Sequence, residues 1–338
     1  MALKHMLLIV LLSQVNLIVI INNIINDSVT IANNIIHHKF HDDLRQKAKW
    51  ESYKPEENPF REWTDSEIKS MFQIKLKNYK PIFSMELELL EHGIVTNIPK
   101  SFDARQQWPN CTRPPRHQGH CGSCWAFSIS STLSDRFCIL SNEQIKVELS
   151  PQDMVSCNTE NNACRGGKQD VAWEFLEQTG VVTEDCFSYD STYDKQPECP
   201  IKKRCLNSQI PYFKYKAEKG KSGHLKCPHE IQTAIMNNGP LTTGMLMAED
   251  FMHYKSGVYK YDHGELLGGH AVKIVGWGED NGISFWIVEN SWGPEWGENG
   301  YFRIKFGENL IDSNAYTGLP DLDLNNFNFG NLRKEEIE

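Results

Sequence analysis

The sequence predicts an α+β protein in which a helix-forming half precedes a strand-forming half. Two changes of periodicity and one change of composition carry this. From about residue 98 to Gly239 the apolar residues recur at helical spacing, as in Ala126, Phe127, Ile129, Leu133, Phe137 and Leu140. After Pro240 they form β-rich runs such as "HAVKIVGW" and "FWIVEN", or alternate, as Phe302, Ile304 and Phe306 do with Tyr301, Arg303 and Lys305. All 10 cysteines lie after residue 110, so a cysteine-rich body follows a cysteine-free stretch.

Taken in order, residues 1–21 read as a secretory signal peptide. Lys4 and His5 form a polar head and Met6 to Ile21 is largely apolar, though broken by Ser13, Gln14 and Asn16. That run is short and interrupted for a spanning helix, so no stable membrane anchor is expected. A signal followed by clustered cysteines implies disulfides and the secretory pathway. The sequons at Asn26 and Asn110 fit that route. Residues 22–97 are polar and read as a removable pro-segment. They hold one clear helix signal, in which Thr64 stands three before Glu67 and Ile68, Met71, Phe72 and Leu76 follow.

The body is expected to span 98–320, with a mainly helical part at 98–239, a mainly β part at 240–320, and a loose tail at 321–338. A second helical pattern runs from Val171 to Leu176, and the five lysines between Lys214 and Lys226 read as a solvated loop. The net charge of −9 argues against a nucleic-acid partner, which would require a basic surface.

The chemistry centres on "QGHCGSCWAF", residues 118–127. Cys124 opens a predicted helix, where free N–H groups and the helix dipole favour a thiolate. His270, in "GGHAVKIVGWG", opens a predicted strand, and Asn290, in "VENSWGPEWG", lies 20 residues further on (290 − 270). A thiol beside an imidazole whose other nitrogen is held by a third group is an activated nucleophile. Gln118 carries an amide donor six residues before Cys124, suited to a developing oxyanion.

"QGHCGSCWAF", "CRGG" at 164–167, "GGHAVKIVGWG" and "ENSWGPEWGENGYFRI" together resemble the papain family of cysteine proteases over about residues 98–320. Within it, "SFDARQQWPNC", "HYKSGVYKYDHGELLGGHA" and the short early segment with "KWESYKPEENPF" resemble the cathepsin B branch. The resemblance implies a two-lobe fold, a helical lobe and an antiparallel β-barrel-like lobe with a cleft between them. It implies peptide-bond hydrolysis without a cofactor or metal, with Cys124 as nucleophile, His270 as general base and acid, Asn290 as its orienter and Gln118 as oxyanion donor. Trp292 would shield the His270–Asn290 bond, Gly166 and Gly167 would pair with an extended substrate, and Trp296 would line the leaving-group side. Asn314 falls where the branch carries an acidic residue at the base of the S2 pocket. The implied partners are polypeptide substrates, the chain's own pro-segment as inhibitor, and cystatin-type inhibitors. The implied destination is a lysosome, a digestive vacuole or the outside of the cell. The implied disulfides are Cys111–Cys138, Cys121–Cys164, Cys157–Cys199 and Cys186–Cys205, which leave Cys124 and Cys227 without partners.

Three departures and three rival readings complete the picture. The Cys186–Cys205 interval contains no histidine, so the histidine-bearing occluding loop of the branch is incomplete and endopeptidase action is expected. His120 and Glu289 stand where small, polar or basic residues are usual, and the sequence offers no account of either. A redox C-x-x-C would need a preceding strand, which "CTRPPRHQGH" with its two prolines does not supply. A zinc site would need a second ligand pair. A catalytically weak homologue serving as a binding or matrix protein would be expected to lack Cys124, His270 or Asn290, and all three are present.

Overall fold

The computed structural model describes residues 49–72, 97–190, 197–199, 204–205 and 209–323. The signal, most of the early segment, the end of the tail and much of the Cys186–Cys205 interval therefore lie outside the described residues.

Residues 49–72 contribute β1 (Glu51–Ser52) and helix α1 (Asp65–Ser70). The expected capping box forms. The Thr64 side chain accepts from the Glu67 backbone N–H, and Glu67 Oε2 accepts from the Thr64 backbone N–H at 2.7 Å. The helix is shorter than its apolar spacing suggests. It ends at Ser70, and Met71 and Phe72 turn inward to full burial against the body.

The body begins with β2 (Phe102–Asp103) and a short α2 (Ala104–Gln107). Helix α3 (Cys124–Leu140) runs through the centre, with α4 (Pro151–Cys157) and α5 (Gln169–Gln178) against it. The pattern predicts one apolar stripe for α3, yet nearly every face is covered, because α4, α5 and the sheet all pack on it. Its two buried charges have fixed partners. Arg136 donates to the carbonyls of Gly239, Pro240 and Gly318 at 2.7–3.1 Å and to Thr317 Oγ1 at 2.6 Å, and Asp135 accepts from Lys273.

There follow β3 (Ala217–Leu225), α6 (Pro228–Asn238), β4 (Leu241–Ala248), β5 (Tyr254–Ser256), β6 (Val258–Tyr259), β7 (Leu266–Asp280), β8 (Ile283–Glu289), β9 (Tyr301–Lys305) and β10 (Ala315–Pro320). One sheet has the order β3-β10-β4-β7-β8-β9-β6 with β2 beside β7, and β1 pairs with β5 separately. The path is open: β3 and β6 are its ends, so the β lobe is not a closed barrel, and the β6–β9 pair is parallel.

Two apolar cores give the two lobes. One gathers α3, α4 and α5 around Trp125, Phe137 and Trp173. The other gathers the sheet around Trp286, Trp292, Trp296 and Phe302. The division does not fall at Gly239. Ile231, Ala234 and Ile235 of α6 belong to the sheet's core, and the lysine-rich stretch forms strand β3 rather than a solvated loop. Sequence polarity misleads there because β3 is an edge strand whose Lys219 side chain points to water, as edge strands tolerate.

Candidate active site

Cys124 is the first residue of α3, so its own N–H and that of Trp125 lack helical acceptors, whereas the Ala126 and Phe127 N–H groups donate to Ser123 O. The chain reaches it through a tight passage. Gly122 N donates to Cys164 O at 2.7 Å, and the Cys121–Cys164 disulfide lies beside it. A Cβ on Gly122 would lie 2.5 Å from that carbonyl, and one on Gly167 would lie 2.6 Å from the Trp125 ring, so both positions require glycine. Cys121 is thereby committed to Cys164, and Cys124 remains a free thiol. The other three disulfides pair as the resemblance implies, and Cys227 is also free.

Sheet register assembles the other half. Lys273 on β7 pairs with Glu289 on β8 in antiparallel order, which brings the residues after Glu289 level with those before Lys273. His270 and Asn290 therefore meet although 20 residues separate them. His270 Nε2 lies 2.7 Å from Asn290 Oδ1. With the proton on Nε2, Nδ1 is left as an acceptor, and it has no partner. The Cys124 sulfur accepts from the backbone N–H of Ala271, the residue after His270, at 3.4 Å. The thiol is thus seated against the strand that carries the imidazole. The Trp292 ring lies 5.1 Å from that of His270 and is itself buried.

Gln118 is buried and fixed at both ends of its amide. Nε2 donates to Cys121 O at 2.7 Å, and Oε1 accepts from Ser291 Oγ at 2.5 Å. The second hydrogen on Nε2 remains for another acceptor. Tyr189 steadies this corner, donating to Gln118 O and meeting Ser123 Oγ, each at 2.7 Å. Asn314 is half-buried. Its carbonyl accepts from Gly244 N at 3.1 Å, and its Cβ and Gln169 Nε2 would flank a Cβ on Gly244. Gly166 takes a left-handed φ of 92°, which suits glycine alone. Trp296 is fully buried among Trp292, Phe251, Tyr254 and Phe302.

The early segment covers the site. Trp50 packs on Tyr254 and Tyr259, and Tyr53 Oη donates to Glu295 O and accepts from Gly297 N. Phe60 meets Trp292 edge-on at 5.2 Å, and Phe72 lies edge-on to His270 at 5.6 Å. The Phe72 carbonyl crowds Gly268, where any Cβ would clash.

This cover alters the electrostatics expected from sequence. Burial pushes the Cys124 thiol up to about 11, outweighing hydrogen bonds from Ala271, Trp125 and its own N–H. Burial pushes His270 down to about 4, with the Asn290 bond opposing. In the covered form burial disfavours both the thiolate and the imidazolium.

Several contributors escape sequence reasoning. Ser291 and Tyr189 orient Gln118 but belong to no spacing rule. Glu289 proves to be part of a buried cluster. Lys273 Nζ lies 2.8 Å from Asp135 and 2.7 Å from Glu289, and donates to Ser131 Oγ at 2.6 Å, while Ser131 donates to Glu289. This ties the helix carrying Cys124 to β7, which carries His270, and to β8, which ends immediately before Asn290. A charged residue next to Asn290 in an otherwise apolar strand is the signal that marks it.

Among the described residues no group of His, Cys, Asp and Glu is arranged to hold a metal, and no helix is long and apolar enough to cross a membrane. Residues 98–319 match the family described as "Papain family cysteine protease". The chain is 41% identical over 229 residues to "Cathepsin B-like CP2" of Giardia intestinalis, covering 67% of this chain and 75% of that protein. It is 37% identical over 265 residues to "Cathepsin B" of Dictyostelium discoideum, covering 73% and 79%. Among solved structures, "proCathepsin B S9 from Trypanosoma congolense" superposes with a TM-score of 0.73 at 29% identity, covering 84% of this chain and 98% of that one.

Proposed function

Since the chain belongs to the papain family of cysteine proteases and is a cysteine peptidase of cathepsin B-like type, we propose that Cys124, His270, Asn290 and Gln118 carry its peptide-bond hydrolysis. The observation that carries the proposal is the 2.7 Å His270–Asn290 contact, which leaves Nδ1 as the proton acceptor on the strand against which the Cys124 sulfur sits.

The steps follow from the chemistry of these atoms. His270 Nδ1 takes the Cys124 proton, and the sulfur attacks the peptide carbonyl. The resulting oxyanion receives hydrogen bonds from the Cys124 backbone N–H and the second Gln118 amide hydrogen. Collapse expels the amine, which takes the proton from Nδ1. A water, losing its proton to the same nitrogen, then hydrolyses the thioester and frees Cys124. Asn290 holds the ring in the required tautomer throughout. Gly166 and Gly167 pair with the acyl side of the substrate, and Asn314 floors a pocket that favours apolar side chains over Arg, for want of a buried compensating charge.

Residues 49–72 are the described part of a pro-segment, and the chain is a latent form. Acid releases it by two routes with the same sign. Thr64 holds the Glu67 carboxylate below its ordinary range, so the capping box of α1 weakens as pH falls through that lowered range. His270 cannot take a proton while covered, so the cover is stable above 6.5 and loses stability as pH falls toward 4. Two further carboxylates of the early segment, Glu86 and Glu88, lie outside the described residues. The uncovered enzyme acts as an endopeptidase of the secretory pathway, delivered to a lysosome or digestive vacuole or secreted. The test is acid treatment of the full chain followed by labelling with a thiol-alkylating probe and mass measurement. One label on Cys124, loss of the early segment and cleavage of C-terminally blocked peptides support the reading. A label on Cys227, or activity retained by Cys124→Ala, refutes it.

A further inference from the structure

His120 departs from the usual motif, and what surrounds it gives a reason. Its ring stacks on Trp63, with centroids 3.9 Å apart and planes at 16°. Its Nδ1 lies 3.5 Å from Glu67 Oε1, while the other oxygen of that carboxylate caps α1. Ser70 Oγ donates to the His120 carbonyl at 3.5 Å, and the Ser70 carbonyl would lie 3.2 Å from a Cβ on Gly122. The cover thus rests a carboxylate and an aromatic ring on one imidazole, four residues before Cys124.

The position of His120 in the cleft follows from a row of rings. His120, Trp63, Phe60 and Trp292 succeed one another at 3.9, 5.2 and 5.2 Å, and His117, bridged to Trp292, flanks Trp63 at 6.4 Å. Trp63 and Phe60 leave with the cover, so His120 and Trp292 then face a shared vacant space. Trp292 stands on the His270 side, where the departing amine must take its proton. The side chain of His120 is 23% exposed even under the cover.

We propose that His120 is a specificity-determining residue that binds a carboxylate on the departing portion of the peptide, the group for which Glu67 stands in while the chain is latent. This rests on the peptidase reading above. The carboxylate has two sources: an acidic side chain beyond the cleaved bond, or the free C-terminus of a short peptide. The second would give the cleft a terminal-carboxylate contact although the Cys186–Cys205 interval supplies no histidine.

The experiment uses the acid-processed full chain, with two pairs of quenched peptides. One pair is C-terminally amidated and differs by Glu or Gln two residues after the cleaved bond. The other is cleaved two residues from its end and differs by a free or amidated C-terminus. The readout is the kcat/KM ratio within each pair, which cancels differences in active concentration. In at least one pair the carboxylate member is favoured roughly fivefold, the size of one partly exposed ion pair. That ratio falls to about one in His120→Ser and returns in His120→Lys. The pair that responds identifies the source. No preference in the unaltered enzyme, or the same preference in His120→Ser, overturns the inference while leaving the peptidase reading intact. A processed chain that takes up no label at Cys124 overturns the peptidase reading, and this inference with it.

Discussion

The reactivity of Cys124 in the covered chain can be predicted in advance. Its thiol is buried and pushed up to about 11. At pH 7 that leaves about one molecule in 10⁴ as thiolate, against about three in 100 for an ordinary exposed cysteine. Alkylation of Cys124 in the unprocessed chain should therefore be suppressed roughly 300-fold by protonation alone, and further by steric cover. Cys227, free and partly exposed, supplies an internal reference. The assay treats the full chain with iodoacetamide across pH 6 to 10 and quantifies each cysteine by peptide mass spectrometry. Cys124 should lag Cys227 throughout and gain about tenfold per pH unit, since the thiolate appears only as pH approaches 11. Phe72→Ala, which removes the ring facing His270, should restore fast labelling at neutral pH. If Cys124 in the unprocessed chain labels as fast as Cys227 at pH 7, burial by residues 49–72 does not govern the thiol and the account of latency is wrong.

Other predictions follow from the same geometry. Gln118→Ala should lower kcat by roughly 10²–10³ with a smaller effect on KM, the cost of one oxyanion donor; an unchanged kcat would remove Gln118 from the mechanism. Release of residues 49–72, followed by loss of Trp63 fluorescence quenching or by proteolytic sensitivity, should set in below pH 6.5. Burial holds His270 down to about 4, so the covered state should lose stability as pH falls from 6.5 toward that value. Release that strengthens on raising the pH would contradict the sign. Lys273→Met leaves Asp135 and Glu289 buried without their cation. It should cost about 3–5 kcal/mol of stability, or roughly 10 °C in Tm by thermal unfolding. Glu289→Gln relieves repulsion with Asp135, whose carboxyl is raised by burial and by Glu289, and should be neutral or stabilising; a loss as large as that of Lys273→Met would show that Glu289 is not the surplus charge.

The sequence by itself determined the family and the local elements on which the proposed site stands. Cys124 at a helix start, His270 and Asn290 in β-rich segments, Gln118 and the helices of the first lobe were legible because local propensity and short motifs encode them. The capping box at Thr64 was legible for the same reason: its partners lie three residues apart. Wherever the determining contact is remote in sequence, the tertiary structure decided. Strand β3 looks like a polar loop because its neighbour β10 lies about 90 residues away, and polarity says nothing about an edge. Helix α6 joins the β core rather than the helical one because Ile231, Ala234 and Ile235 meet the sheet. The Cys124 thiol is pushed up rather than down because burial in the folded chain outweighs the local N–H groups of its helix. His120 and Glu289 had no meaning in sequence, since their partners, Glu67 and Trp63 for one and Lys273 and Asp135 for the other, converge only when the chain folds. Nearest-neighbour physics is written in the sequence, whereas burial and long-range pairing, which set the charges and the cover of this site, exist only once the lobes close on each other.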